Sequence, residues 1–129
     1  MMALYADIIE IVAPSQAAAG NRVDITIKVK NTYSAVISIM VSGALEYGVS
    51  PWPGIDVPEN WANVNGGATY SFSGSFVMPD RRVTIHAYSY WYGSDGYWYF
   101  DDEFTKSVDI ATASEPSISD FRIADFIKV

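Results

Sequence analysis

Arg22-Val23-Asp24-Ile25-Thr26-Ile27-Lys28-Val29-Lys30-Asn31 alternates apolar and polar residues without a break. Val23, Ile25, Ile27 and Val29 fall on one face, and Asp24, Thr26, Lys28 and Lys30 on the other. Successive side chains of an extended chain point to opposite sides, so a period of two marks a half-buried strand. A helix would scatter the same four apolar residues around its circumference.

The same period recurs on either side. From Ala68 to Met78 it places Tyr70, Phe72, Phe76 and Met78 inward, broken only at Gly74, which marks a bulge or a close approach of another chain segment. From Arg82 to Tyr92 it separates Val83, Ile85, Ala87 and Trp91 from His86, Tyr88, Tyr90 and Tyr92. Gly93-Ser94-Asp95-Gly96 then supplies the residues that tolerate a hairpin turn. Tyr97 to Ile110 returns with Trp98, Phe100, Phe104, Val108 and Ile110 in step, interrupted by Asp101 to Glu103 at an expected bulge. Asp7 to Val12 and Ala35 to Leu45 add two further strands, and the proline- and glycine-marked stretch from Gly48 to Gly67 reads as a long loop or short edge strand.

No window keeps a 3.6-residue apolar period with caps, so helix is expected to be nearly absent. Six or seven strands joined by Gly, Pro and Asn turns specify an all-β fold, an immunoglobulin-like antiparallel β-sandwich of about seven strands. Residues 1–112 are assigned to that sandwich. Residues 113–129 are assigned to a small, polar linker followed by a strand-like tail in which Phe121, Ile123, Phe126, Ile127 and Val129 restore apolar character. An apolar tail beyond a linker is expected to fold back on its own sandwich, to add to a neighbour's sheet edge, or to order only on binding.

The run from Pro14 through Gly20 to Lys30-Asn31 resembles the opening of immunoglobulin-like modules of the CARDB-like adhesion-domain type, found in bacterial, archaeal and phage proteins. Phe76-Val77-Met78-Pro79-Asp80-Arg81-Arg82-Val83-Thr84-Ile85-His86-Ala87-Tyr88-Ser89-Tyr90 resembles their penultimate hairpin, where a Met-Pro turn leads into the strand before the last. These motifs encode turns and alternation, so what the resemblance implies is a fold and no chemistry. Similar modules occur in tail, fibre and head-decoration proteins of tailed phages and in cell-surface proteins.

Eight basic residues against fifteen acidic ones give a formal charge of −7. Such a surface repels phosphate, so neither nucleic acid nor an anionic membrane is expected as a partner. With no cysteine there is no disulfide and no thiolate chemistry. The N-terminus carries no basic and apolar pair of segments, so no signal peptide is read there, and a virion component assembled in a host cytoplasm is the expected setting.

No cofactor, metal or catalytic residue is assigned. His86 is the single histidine, and one imidazole without a second ligand or a nucleophile supports neither a transition-metal site nor a dyad. Asp95, Asp101, Asp102 and Glu103 lack calcium-loop spacing and read as a solvated acidic edge. The aromatic ladder around the hairpin is the strongest feature. Tyr88, Tyr90, Tyr92, Tyr97 and Tyr99 flank the turn, with Trp91 and Trp98 expected on the opposite face. Tyrosine and tryptophan pair a large apolar area with a polar tip, which suits protein interfaces and sugar stacking; cross-strand pairing within the hairpin is the simpler explanation.

These residues give a non-enzymatic assembly protein, expected as a virion decoration, fibre or tail-associated component. Its contacts, with copies of itself or a capsid or tail protein, are assigned to Tyr88, Tyr90, Tyr92, Tyr97, Trp98, Tyr99, Phe121, Ile123, Phe126 and Ile127. The alternative is a carbohydrate-binding or adhesion module that uses the same Tyr/Trp face.

Overall fold

A computed structural model describes residues 4–111. The tail assigned to Phe121, Ile123, Phe126 and Ile127 lies outside the described residues. Eight strands run in the order β1 (Ala6–Val12), β2 (Gln16–Ala17), β3 (Arg22–Asn31), β4 (Ile37–Glu46), β5 (Trp61–Val64), β6 (Thr69–Val77), β7 (Val83–Tyr92) and β8 (Trp98–Ile110), with no helix among the described residues. They form a three-stranded sheet, β1-β3-β6, and a five-stranded sheet, β2-β8-β7-β4-β5. All pairings are antiparallel except the two-residue contact of β2 with β8.

The alternation read from the sequence builds the core. Val23, Ile25, Ile27 and Val29 of β3 face Ile39, Val41, Val83, Ile85 and Val108 of the other sheet, each no more than 3% exposed. Burying an aliphatic side chain of this size contributes about 1.5–3 kcal/mol relative to leaving it in water. Two sheets closed over one core make an immunoglobulin-like β-sandwich. Tyr70 shares the inward parity of Phe72 and Phe76, but β6 is a rim strand and the ring retains 39% of its surface.

Both sides of the sandwich are laced. On one, residues 53–56 pass from the edge of β4 to the edge of β6, with Ile55 N donating to Gly43 O at 3.0 Å and Asp56 and Ser75 exchanging both backbone bonds. Gly74 lies at this crossing: a Cβ there would stand 3.0 Å from Asp56 O, while the β3–β6 register runs without a slip. Gly74 therefore marks a close approach and not a bulge.

On the other side the Asp101–Asp102 pair lies where an exposed acidic edge was expected, and the structure buries it. Asp101 is 5% exposed and accepts the backbone N–H groups of Leu4 (2.6 Å), Tyr5 (2.8 Å) and Ala6 (2.6 Å). Asp102 is 7% exposed and accepts from Ile8 (2.9 Å) and Glu103 (2.9 Å). Ser89 Oγ donates to Ala6 O at 2.6 Å. The free edge of β1, which no strand among the described residues pairs, thus finds partners in side chains of β7 and β8. Buried backbone donors must be satisfied, and carboxylates satisfy them with stronger, charge-assisted bonds.

Candidate aromatic binding surface

The β7–β8 ladder slips by one residue: Ser89 lies opposite Asp102, but Tyr90 lies opposite Phe100 and Tyr92 opposite Trp98, leaving Asp101 as the extra residue. That bulge reverses the parity of everything before it on β8. Trp98 and Phe100 consequently join Tyr88, Tyr90 and Tyr92 on the outward face, where Trp98 had been expected to oppose them. Tyr99 turns to the other side and stacks on Trp91 at 4.9 Å. Tyr97, at the turn, is 68% exposed. The tyrosine ladder is therefore two groups.

The outward group spreads over four strands. Trp61 of β5 pairs with Met40 of β4, Met40 with Tyr90 of β7, and Tyr90 with Phe100 of β8, which sets four apolar side chains in one row across the sheet. Next to it runs Asn63, Ser38, Tyr92 and Trp98. Tyr92 and Trp98 meet edge to face at 5.0 Å, and Tyr90 and Phe100 at 5.8 Å. Ser38 Oγ donates to Asn63 Oδ1 at 2.5 Å. Trp61 is 56% exposed, so it extends this face and does not cover the tyrosines as a loop residue would.

Around the hairpin end a second aromatic group closes the sandwich: Tyr5 meets Tyr33 at 4.9 Å and Trp91 at 5.0 Å. Tyr5 is held there through its backbone, by Asp101. A cleft of about 580 Å³ opens beside them, lined by Tyr5, Tyr33, Ser38, Trp91, Tyr92 and residues of the turn. A smaller one of about 200 Å³ lies between Ser38, Trp61, Tyr92 and Trp98. Ser38 and Tyr92 wall both.

Towards the opposite end of the outward face, His86 is clamped. Its Nδ1 lies 2.8 Å from Glu103 and its Nε2 2.8 Å from Glu46, with the Trp52 ring stacked on it at 4.5 Å. Only a doubly protonated imidazole can donate to both carboxylates. Burial works against that charge, but the bonds to Glu103 and then Glu46 outweigh it and hold the His86 pKa above its ordinary 6.5. At the turn the Tyr99 hydroxyl donates to Asp95, which lowers the carboxyl pKa and raises the phenol's. Among the described residues no group of three His, Asp or Glu side chains could hold a metal ion.

No family model matches the sequence. No curated protein matches it at a significant level. Solved structures do resemble it in fold. A CARDB domain from Pyrococcus furiosus, solved in complex with di-metal ions, is 11% identical with a TM-score of 0.57, over 86% of this chain and 93% of that one. What this chain shares with that domain is the β-sandwich fold. The alkylpurine DNA glycosylase AlkC of Pseudomonas fluorescens, bound to DNA containing an abasic site analog, is 13% identical with a TM-score of 0.60 over 84% of this chain. A cycloisomaltooligosaccharide glucanotransferase of Paenibacillus, complexed with cycloisomaltoheptaose, is 20% identical with a TM-score of 0.52 over 83%. The sandwich spans only 31% of the glycosylase and 14% of the glucanotransferase. At these identities the likeness is one of fold, and function is carried by sites grafted on it.

Proposed function

We propose that the protein is a non-enzymatic binding module whose contact surface is the outward aromatic face of the five-stranded sheet, carried around the hairpin end. The observation that carries this reading is the exposure of Trp61 (56%), Tyr92 (45%), Trp98 (36%) and Phe100 (49%) on one face, with Met40 of β4 joining Trp61 of β5 to the rings of β7 and β8. Scattered exposed apolar residues are ordinary, but contiguous aromatic patches mark binding surfaces. The clamp on His86 supports the absence of acid–base chemistry, since both ring nitrogens are occupied by carboxylates.

The assembly role, in which the module is a virion component that contacts a copy of itself or a capsid or tail protein, would use this face. It is supported by the patch and by the sequence resemblance. The carbohydrate role would use the same rings and is supported by the two clefts. The test is a binding screen of the full chain against itself by sedimentation equilibrium and against immobilised proteins and glycans, repeated with Tyr90→Ala and Phe100→Ala. Any interaction found is expected to weaken in both variants while the melting temperature holds. An interaction untouched by them, and lost on changes to the outer face of the three-stranded sheet, would overturn the reading.

A further inference from the structure

We infer that the hairpin end is a seat for an uncharged oligosaccharide of at least two rings, one ring held between Trp61 and Trp98 and its neighbour in the Tyr5–Tyr33–Trp91 cleft. The inference rests on the proposal that the aromatic face is the contact surface, and it names the ligand class.

The two clefts adjoin, since Ser38 and Tyr92 line both, and together they extend from β5 around the end of the sheet to the start of β1. Among the described residues not one Lys, Arg, Asp, Glu or His lines either, although such residues are scattered over the rest of the fold, and the larger cleft on the three-stranded sheet is lined by Arg22, Asp24 and Asp56. A site without charge selects a ligand without charge. A phosphate or sulfate ester would meet no cation there and a chain of net charge −7 around it. Among the described residues a basic peptide would find no carboxylate lining the clefts, and Asp95 of the adjoining turn already accepts the Tyr99 hydroxyl. A second copy of this chain would bring its own −7 against the first.

What lines the clefts is aromatic rings with hydroxyls between them. Indole and phenol faces carry the negative side of a quadrupole, which attracts the polarised C–H face of a sugar ring. Ser38, Ser94 and the tyrosine hydroxyls supply neutral donors and acceptors for the ring's edge. Ser38 is tied to Asn63 of β5, so a carboxamide stands one strand away from the shared wall. The smaller cleft, about 200 Å³, falls below the roughly 300–1,000 Å³ of drug-sized sites and suits a single ring. The larger, about 580 Å³, takes the next. Rigidity favours the seat too. Trp91 is wedged between Tyr5 and Tyr99, and Trp98 is braced by Tyr92, so little rotamer freedom remains to be lost on binding.

The experiment is a tryptophan-fluorescence and calorimetric titration of the full chain with cellohexaose, maltohexaose and chitohexaose, and with the matching monosaccharides, at low and high salt. At least one hexaose is expected to bind, to bind more tightly than its monosaccharide, and to be indifferent to salt. Trp61→Ala and Trp98→Ala are each expected to weaken it by at least about tenfold, equivalent to roughly 1.4 kcal/mol. Trp98→Phe keeps a ring and is expected to retain most of the affinity, which separates stacking from simple loss of the fold. Binding that survives both alanine variants overturns the inference. So does silence from all three hexaoses; if Tyr90→Ala and Phe100→Ala nonetheless weaken binding of a protein or of a second copy, the aromatic contact surface stands and only the sugar seat falls. Binding of a hexaose that salt abolishes would contradict a seat built on stacking and neutral hydrogen bonds, and would overturn it as well.

Discussion

Asp101→Ala tests how much of the fold depends on two carboxylates lacing the edge of β1. Asp101 receives three backbone N–H groups, at 2.6, 2.8 and 2.6 Å. Hydrogen bonds to a charged acceptor contribute about 1.5–3 kcal/mol each, and a buried donor left unpaired costs about 1–3 kcal/mol. The three are not equal. Leu4 is 58% exposed, so water replaces its partner at little cost, whereas Ala6 is 0% exposed and water cannot reach its N–H. Tyr5 lies between these limits. One donor fully stranded and one partly so give an expected loss of about 2–5 kcal/mol. The assay is urea denaturation at neutral pH, reading the midpoint at constant slope, with Asp24→Ala as a control. Asp24 pairs with Arg22 on the exposed surface, where such a pair contributes at most about 1 kcal/mol. Amide exchange at Ala6 and Ile8 is expected to quicken in Asp101→Ala. If the variant is no less stable than Asp24→Ala, the lacing is ornamental and the reasoning fails.

Asp7 has its carboxyl pKa raised by burial and then by the like charge of Asp102, so its ionised form opposes folding at neutral pH. Asp7→Asn is expected to raise the urea midpoint at pH 7, with the gain vanishing as pH falls through the raised pKa toward 3.8; a lower midpoint at pH 7 would contradict this. His86 contributes stability that is fully present below pH 6.5 and is lost as pH rises through its higher folded value. Its imidazole resonances are expected to titrate above 6.5, and Glu103→Gln to bring that midpoint down; an unchanged midpoint would deny the clamp. Gly74→Ala is expected to cost about 1–3 kcal/mol in denaturant melts, because the new methyl would press on the Asp56 carbonyl at 3.0 Å.

The alternation of Val23 to Val29 and of Val83 to Ala87 made the two sheets legible from residue identity alone, because a buried face admits one register only. Gly74 was legible as an anomaly, and its cause became visible once residues 53–56 were seen to cross over it. The split of the aromatic ladder was not legible, although a break at Asp101 to Glu103 was. A bulge shifts parity by one residue, and which residue is extra depends on the partner strand, here on the meeting of Ser89 with Asp102. The burial of Asp101 and Asp102 escaped for a related reason: their partners are backbone groups at residues 4–8, more than ninety positions away, and backbone donors leave no mark in a sequence. Trp61 could be seen, but its place beside Trp98 follows from the pairing of β5 with β4, four strands' width of context that periodicity does not carry. Tyr5 and Tyr33 joined the site through the same long-range closure.

The most direct measurement is a two-dimensional NMR titration of the isotope-labelled protein with whichever ligand the binding screen returns. Shifts are expected at the amides of Ser38, Tyr90, Tyr92 and Phe100 and at the indole N–H groups of Trp61, Trp91 and Trp98, with the outer face of the three-stranded sheet unmoved. Shifts gathered on Arg22, Asp24, Ser73 and Ser75, with the indoles silent, would place the contact surface on the wrong sheet and contradict the claim on which the functional reading depends.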